Sequence, residues 1–432
     1  MRPRQIPYLL YADAKGKIFE DDSLHCAGRS GNDIVSLKPE DFIELPEGSD
    51  LYVLPDRYPI GINLKTGVPA LSKKGFAVSA QMSPAHTMLF MAAFQKAECA
   101  QTLPLFAYSC VGWLEGKYYV TAVRIDRDVR QEPFGFDQNK VKDGVADWYK
   151  KYPDNRLLHH IGDNCALTYK CPAARNFFLN RWEAPIPTSM ACNANCVGCI
   201  SFQPEEEQVH STQDRISFKP SSDEIAQYAI EHLKTAPYPI VSFGQGCEGE
   251  PLLMWPTIKE SILKIREQVN NGSINLNTNG SMPKAVEELC KAGLNSIRVS
   301  LNSVREEIYN AYYLPNNYRF NALKKSIQTV RSYGGWASIN YFVFPGITDE
   351  VQEYEALRHF IKETDLTMIQ WRNFNIDPDW YIERISKKEF GETLGVEEMM
   401  NRIHEEFPHV MFGYFNPSIE KIEKHIRSHS IH

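Results

Sequence analysis

The sequence predicts an α/β protein: a partial barrel of six parallel βα units over residues 181–386, behind an α+β domain over 1–180 and ahead of a short helical extension over 387–432. Three observations carry that expectation. From about Arg181 onward, apolar runs of strand length alternate with amphipathic helical patterns, and parallel strands need such crossovers. Six units are too few for a closed eight-stranded barrel, so the barrel is expected to be open. The first 180 residues lack this rhythm and show short alternating strands broken by turns.

In the N-terminal region, 50–54 and 61–64 are short extended runs. Residues 103–113 and 117–125, rich in Tyr, Val and Phe and joined at Glu115-Gly116, read as a β-hairpin. Between them, 84–99 starts near a Pro and is rich in Ala and Met, the pattern of a helix packed on that sheet. The core strands are expected at 185–189, 240–243, 274–278, 296–301, 338–344 and 368–374. Ser222 is expected to cap a helix with Ile225, Tyr228, Ala229 and Leu233 on one face, and Val286, Leu289 and Cys290 line a second that stops at Gly293. Leu323, Ile327 and Val330 mark a third helix ending at Gly334-Gly335, and Val351, Tyr354, Leu357 and Ile361 a fourth. Past residue 387, Val396, Met399, Ile403 and Phe407 are spaced for one more. His425, His429 and His432 read as a solvated tail in preference to a metal face.

Composition narrows the function classes. With 432 residues, 43% hydrophobic and 23% charged, the chain is expected to form two or three globular domains, which excludes fibrous, low-complexity and disordered readings. Lys plus Arg number 47 against 54 Asp plus Glu, a net charge of -7, and no block of five like charges advertises a nucleic-acid or anionic-membrane surface. No run of 18 apolar residues occurs and no apolar signal segment follows Met1, so a soluble, cytoplasmic protein without an integral membrane segment is expected. Ten Cys are too few for a disulfide framework. Three of them fall within eight positions, which in a reducing compartment points to metal ligation.

That triplet, Cys192-Asn193-Ala194-Asn195-Cys196-Val197-Gly198-Cys199, is a C-x3-C-x2-C run directly after the first core strand. Three thiolates at this spacing can wrap one metal centre. A zinc site completed by His210 and three unrelated buried thiols are the competing readings, but zinc sites usually pair two C-x2-C knuckles and the chain has no second one. Iron–sulfur clusters normally take four Cys, so a loop offering three leaves one iron of a [4Fe-4S] cluster open to another ligand. An open iron means chemistry at the cluster in place of simple electron storage.

The loop resembles that of the radical S-adenosylmethionine superfamily, and further matches follow in order, each at the carboxyl end of an expected strand, where barrel sites lie. After the second strand, Gly249-Glu250-Pro251 is similar to the family's Gly-Gly-Glu-Pro, with Glu248 standing where its first Gly usually stands. The alternative there is a turn with two solvated glutamates. Asn277-Thr278-Asn279-Gly280 resembles the family's Thr-Asn-Gly, and Asn-Gly is also a common turn. The fourth strand, with Ser300 and Asn302, resembles the one whose polar residues meet ribose and carboxylate. Phe344-Pro345-Gly346-Ile347-Thr348-Asp349 is similar to a turn near the adenine, and Thr348 or Asp349 is also placed to cap the following helix. Arg372 stands at the barrel mouth, as a carboxylate clamp or as a surface residue.

The resemblance spans about 181–376. It implies a partial (β/α)6 barrel in which Cys192, Cys196 and Cys199 hold a [4Fe-4S] cluster. The cofactor S-adenosylmethionine then binds the fourth iron, with Glu248, Gly249, Glu250, Thr278, Asn279, Ser300, Asn302, Gly346, Ile347 and Arg372 around it. It also implies reductive cleavage to a 5′-deoxyadenosyl radical, an electron donor such as flavodoxin or ferredoxin, and hydrogen abstraction from a substrate. A small-molecule or lipid-like substrate under an N-terminal lid is the leading expectation, since a radical must be kept from water. Modification of a ribosomal peptide or of tRNA is the alternative within the family, the net charge counting against tRNA. A non-catalytic iron–sulfur carrier or a zinc-stabilised binding protein is the alternative outside it. Cys247, in the second-strand turn, is a candidate hydrogen-atom donor, with a buried structural thiol as the competing role. Cys165 and Cys171, near His159 and His160, read as buried thiols in preference to a second metal site.

Overall fold

The structure, a computed structural model, describes residues 2–132, 135–386 and 390–429. The N-terminal region folds into a thirteen-stranded antiparallel sheet. Its expected hairpin is present as Ser109–Leu114 and Lys117–Arg124, with Leu114 opposite Lys117. Glu115 and Gly116 close it with φ of 49° and 83°, and two-residue hairpin turns need positive φ at such positions. Strand Asp50–Leu54 is where the sequence places it, and 61–64 overlaps a longer strand, Arg57–Asn63.

The helix expected over 84–99 is instead three short strands, His86–Met88, Met91–Ala92 and Phe94–Lys96. From His86 to Phe94 every side chain except Phe90 is buried, so the run has no polar face to turn outward. Met91 pairs with Ser109 on one side and Arg29 on the other. Sheet pairing outweighs the helix propensity of Ala and Met in such a run.

Helices Gln138–Lys151 and Arg156–His159, the π-helix His160–Thr168 and helix Pro172–Phe178 lead into the barrel. There seven strands pair in chain order, all parallel: Glu183–Ile186, Ile240–Phe243, Ser273–Thr278, Ser296–Leu301, Trp336–Val343, Met368–Asn373 and Met411–Phe412. The order runs linearly from first to seventh, the topology of an open partial barrel. The seventh strand falls in the region expected to be wholly helical, which also contains helices Val396–Glu406 and Ile419–His429. At two residues it is too short to show any periodicity.

Among the covering helices, Trp255–Gln268 and Glu306–Tyr313 had no counterpart in the sequence reading. Helix Ser222–Thr235 is capped by Ser221, one residue earlier than expected. Glu224 N donates to Ser221 Oγ at 3.1 Å while Ser221 N donates to the Glu224 carboxylate at 2.8 Å, and Ser222 Oγ turns to Glu260. Thr348 and Asp349 do not cap helix Val351–Thr364. They accept from Phe344 N (2.8 Å) and Gly346 N (2.6 Å) and so brace the turn itself.

The N-terminal sheet seats on the carboxyl ends of the fifth and sixth barrel strands. Thr87 Oγ1 donates to the Trp371 carbonyl at 3.0 Å, and Met88 N donates to Asn373 Oδ1 at 2.7 Å. Arg57 pairs with Asp377 at 2.8 Å, both almost fully buried, and Arg29 pairs with Asp379 at 2.7 Å. At the opposite end of the barrel, the His425 ring lies 5.0 Å from that of Trp336, so this histidine packs and is not part of a solvated tail. His432 and the side chain of His429 lie outside the described residues. Among the described residues, no helix is long and apolar enough to cross a membrane.

Candidate active site

The cysteine loop leaves the first strand and is pinned by helix Glu306–Tyr313 and the turn after it. Val197 N donates to the Tyr312 carbonyl (2.9 Å), Asn195 N to that of Tyr313 (3.1 Å), and Asn316 N returns a bond to Asn193 O (2.8 Å). Half-buried, Cys192, Cys196 and Cys199 line a cleft of about 590 Å³ at the carboxyl ends of the barrel strands. Burial, seconded by the Glu250 carboxylate, pushes the Cys192 thiol up to about 11. Burial also raises the Cys196 thiol well above its ordinary value, with Cys199 and Cys192 acting in the same direction. Thiols so placed ionise only beside a cation. Arg215, whose Nη2 is 3.7 Å from Cys199 Sγ, supplies part of that charge. Three sulfur donors open on one side to a cleft fit a cluster with one accessible iron better than a closed four-ligand zinc site.

Opposite the loop, the turn after the second strand carries two carboxylates with different duties. Glu248 Oε2 accepts from Thr188 N (2.7 Å), Thr188 Oγ1 (3.0 Å) and Ser189 N (2.9 Å), and its Oε1 from Gln245 N (2.7 Å). Four donors fill the roughly four lone-pair positions of a carboxylate, so Glu248 holds the start of the cysteine loop in place. Glu250 Oε1 accepts from Leu252 N (2.9 Å) and from the Thr278 hydroxyl, and Oε2 from Asn279 N alone (2.8 Å). Glu250 therefore keeps an acceptor position free in the cleft. Burial pushes both carboxyls up to about 7 against the pull of their hydrogen bonds. Asn279 Nδ2 donates to Asn193 Oδ1 at 2.7 Å, which ties the third strand to the cysteine loop.

Deeper in the barrel lie two arginines. Arg298 Nη1 and Arg372 Nη2 each donate to Gln370 Oε1 at 3.0 Å, Arg372 Nη2 also donates to Tyr414 O at 2.9 Å, and its guanidinium stacks 3.8 Å from the Tyr414 ring centre. The Nε atoms of both arginines are buried without a partner, as are Asn340 Oδ1 and Gln370 Nε2 beside them. Among the described residues, neither guanidinium has a carboxylate within salt-bridge distance. Surrounding protein and the nearby Arg372 charge push Arg298 down to about 9. Two neighbouring cations with unused donors are the kind of group that pairs with a carboxylate or phosphate.

Of the residues the sequence singled out, Cys192, Cys196, Cys199, Glu248, Gly249, Glu250, Thr278, Asn279, Ser300 and Arg372 line this one cleft. Four others do not. Asn302 is buried, donating to Tyr381 OH at 3.0 Å and to Ile308 O at 3.3 Å. Gly346 faces the N-terminal sheet, where a Cβ would come within 2.0 Å of Gly31 N, and Ile347 is buried beside it. Cys247 is buried with its Sγ 3.4 Å from Cys165 Sγ, a placement that lends the hydrogen-donor role no support. Tyr312, Tyr313, Arg298, Asn340 and Arg215 also line the cleft without having been foreseen. The two tyrosines sit on helix Glu306–Tyr313, whose Tyr309, Tyr312 and Tyr313 share one face at i, i+3 and i+4. That pattern was available in the sequence. For Arg215, on a loop, no sequence signal existed.

Comparison with known proteins bears on the barrel half of the chain. Residues 186–358 match the family model of the radical SAM superfamily. An uncharacterised protein of Methanocaldococcus jannaschii is 25% identical over 187 residues, covering 40% of this chain and 39% of that protein, so the chain spans about two fifths of that curated relative. Among solved structures, methylornithine synthase aligns at a TM-score of 0.38 with 13% identity, covering 64% of this chain and 75% of that one. A radical SAM methyltransferase from Sphaerobacter thermophilus aligns at 0.38 with 15% identity, covering 54% and 66%.

Proposed function

We propose, from the radical SAM superfamily domain that the chain carries, that the protein is an enzyme that reductively cleaves S-adenosylmethionine and abstracts hydrogen from a small anionic substrate. The observation that carries this reading is the convergence of the C-x3-C-x2-C thiols, the Glu250 acceptor and the Thr278-Asn279 turn on one cleft at the carboxyl ends of parallel strands. When bound, a [4Fe-4S] cluster on Cys192, Cys196 and Cys199 supplies the electron that converts S-adenosylmethionine to methionine and a 5′-deoxyadenosyl radical. Glu250, with its free acceptor position, takes the ammonium of the methionine moiety, and Glu248 spends its acceptors holding the loop. Ser300 offers its hydroxyl to the remaining polar groups of the nucleoside, while the Thr278 hydroxyl is held by Glu250 and Gly280 N.

The substrate class follows from Arg298 and Arg372. Their unused Nε donors and mutual repulsion are relieved by a carboxylate or phosphate, and the narrow, walled cleft suits a small molecule better than a folded RNA. Gln81, Met82, Pro84 and Ala107 of the N-terminal region line the same cleft, which supports a lid that excludes water from the radical. Electrons come from a separate donor of the flavodoxin or ferredoxin type. The test is anaerobic reconstitution with iron, sulfide, S-adenosylmethionine and dithionite. Slow release of 5′-deoxyadenosine is expected, and none from a protein that holds its cluster overturns the reading in favour of an electron carrier.

A further inference from the structure

Outside the cleft, the π-helix before the barrel meets the back of the second-strand turn, and there a second set of soft ligands converges. A ring nitrogen of His160 and the sulfurs of Cys165 and Cys247 all lie within 4.8 Å of one another. The two sulfurs are 3.4 Å apart, and both cysteines are buried. His160 is 9% exposed, and its Nε2 is buried without any hydrogen-bond partner. Its Nδ1 faces the Asn164 amide at 3.1 Å.

We propose that His160, Cys165 and Cys247 bind a zinc ion. Two thiolates and an imidazole are donors that zinc takes tetrahedrally, and hard cations such as magnesium or calcium do not. Zn–S distances of about 2.3 Å set two sulfurs of a tetrahedron about 3.8 Å apart, a small widening of the gap observed here. The backbone is wound for the purpose. In an α-helix, residues five apart point about 140° away from each other, whereas the wider winding of His160–Thr168 stacks His160 over Cys165. The buried ring lies beside the Cys247 thiol, and a metal takes the lone pair of its nitrogen together with that sulfur. Asn164 then fixes the ring through Nδ1, its amide turned so that Oδ1 accepts the Nδ1 proton. A tetrahedral ion on these three donors keeps a fourth position for water or a further ligand.

Such an ion links the π-helix to the turn whose next residue, Glu248, holds Thr188 and Ser189 at the start of the cysteine loop. It is a structural clamp behind the site and is independent of the cluster. The full chain, expressed with zinc in the medium and purified anaerobically without chelators, is expected to carry about one zinc in addition to its iron by mass-spectrometric metal analysis. C165S, C247S and H160Q each lower zinc about tenfold or more while iron stays, and the C192A/C196A/C199A variant loses iron while zinc stays. Since a clamp variant can misfold, zinc-edge X-ray absorption on the unmodified protein supplies an independent readout: at least two sulfurs near about 2.3 Å and a nitrogen near about 2.0 Å. Any of four results overturns the proposal: zinc near background, zinc without sulfur ligands, a Cys165–Cys247 disulfide in the protein as purified, or iron or copper in its place.

Discussion

In the barrel, strand after strand delivers a polar group to the cleft. Cys192 follows the first strand, Glu248 and Glu250 the second, Thr278 and Asn279 close the third, Arg298 and Ser300 lie on the fourth, Asn340 on the fifth and Arg372 on the sixth. The N-terminal region, with its thirteen-stranded sheet, gives the same cleft Gln81, Met82, Pro84 and Ala107, of which Gln81 alone has a polar side chain. The polar lining thus comes mainly from the barrel and the apolar lining from the N-terminal region. A parallel barrel gathers strand ends at one face, so residues distant in sequence converge there, whereas an antiparallel sheet offers mainly a surface.

The cysteines give the largest effect with which to break that division. Replacing Cys192, Cys196 and Cys199 together by Ala removes the iron and reduces 5′-deoxyadenosine formation at least about a thousandfold, while the sheet, with no ligand of its own in the cleft, keeps its fold. Iron content, product formation and circular dichroism read this out. An iron-bearing triple variant that still cleaves S-adenosylmethionine refutes the assignment.

Between the two regions the seam is the next place to press. Asp377 accepts from Arg57 Nη2 and from Leu103 N, both at 2.8 Å, and also caps helix Pro378–Arg384 through Asp379 N at 2.9 Å. Asp377→Ala leaves a guanidinium buried at 1% exposure without its counter-charge, a loss of about 3–5 kcal/mol. Urea unfolding measures it. A loss below about 1 kcal/mol means that sheet and barrel hold together by other contacts and that this pair is incidental.

Acid separates the regions less sharply. His232, on helix Ser222–Thr235, donates from Nε2 to Trp182 O at 3.0 Å, and burial pushes it down to about 4. In the unfolded chain it takes a proton near 6.5, so between 6.5 and 4 the unfolded state binds more protons and stability falls as pH falls. The full difference is on the order of 3 kcal/mol. His86, in the sheet, is also lowered by burial and adds to the same acid loss. His232→Gln is expected to flatten the barrel's share of the stability change between pH 7 and pH 5. An unchanged slope assigns the acid sensitivity to other groups.

How much of this was legible in sequence followed the same divide. Each long barrel strand left an apolar run and each motif sat where its strand stops, so six strands and ten cleft residues were readable by number. The sheet was read poorly where its run from His86 to Phe94 is buried almost throughout, which hides the alternation that marks a strand. Position along the chain also misled at Cys247. Its neighbours line the cleft, but its own side chain points to the other side of the turn, towards Cys165. Arg298 opens the fourth-strand run Arg298-Val299-Ser300-Leu301-Asn302, but nothing in the sequence separates its role from that of Ser300.

Arg298 supplies the smallest and most discriminating effect. If the barrel interior were built for stability, its guanidinium would have a carboxylate partner, yet it donates to Gln370 and leaves Nε unpaired. Arg298→Met removes a partly desolvated cation and its repulsion with Arg372 while filling similar volume, so the free protein is expected to gain about 1–2 kcal/mol. The same change removes one of the two cations proposed to pair with the anion. Unmodified protein therefore gains melting temperature in millimolar inorganic phosphate by mass action, and the variant does not. A variant that is less stable than the parent makes Arg298 a structural element of the barrel wall. One that is more stable but responds equally to phosphate moves the anion site elsewhere and takes the anionic substrate class with it.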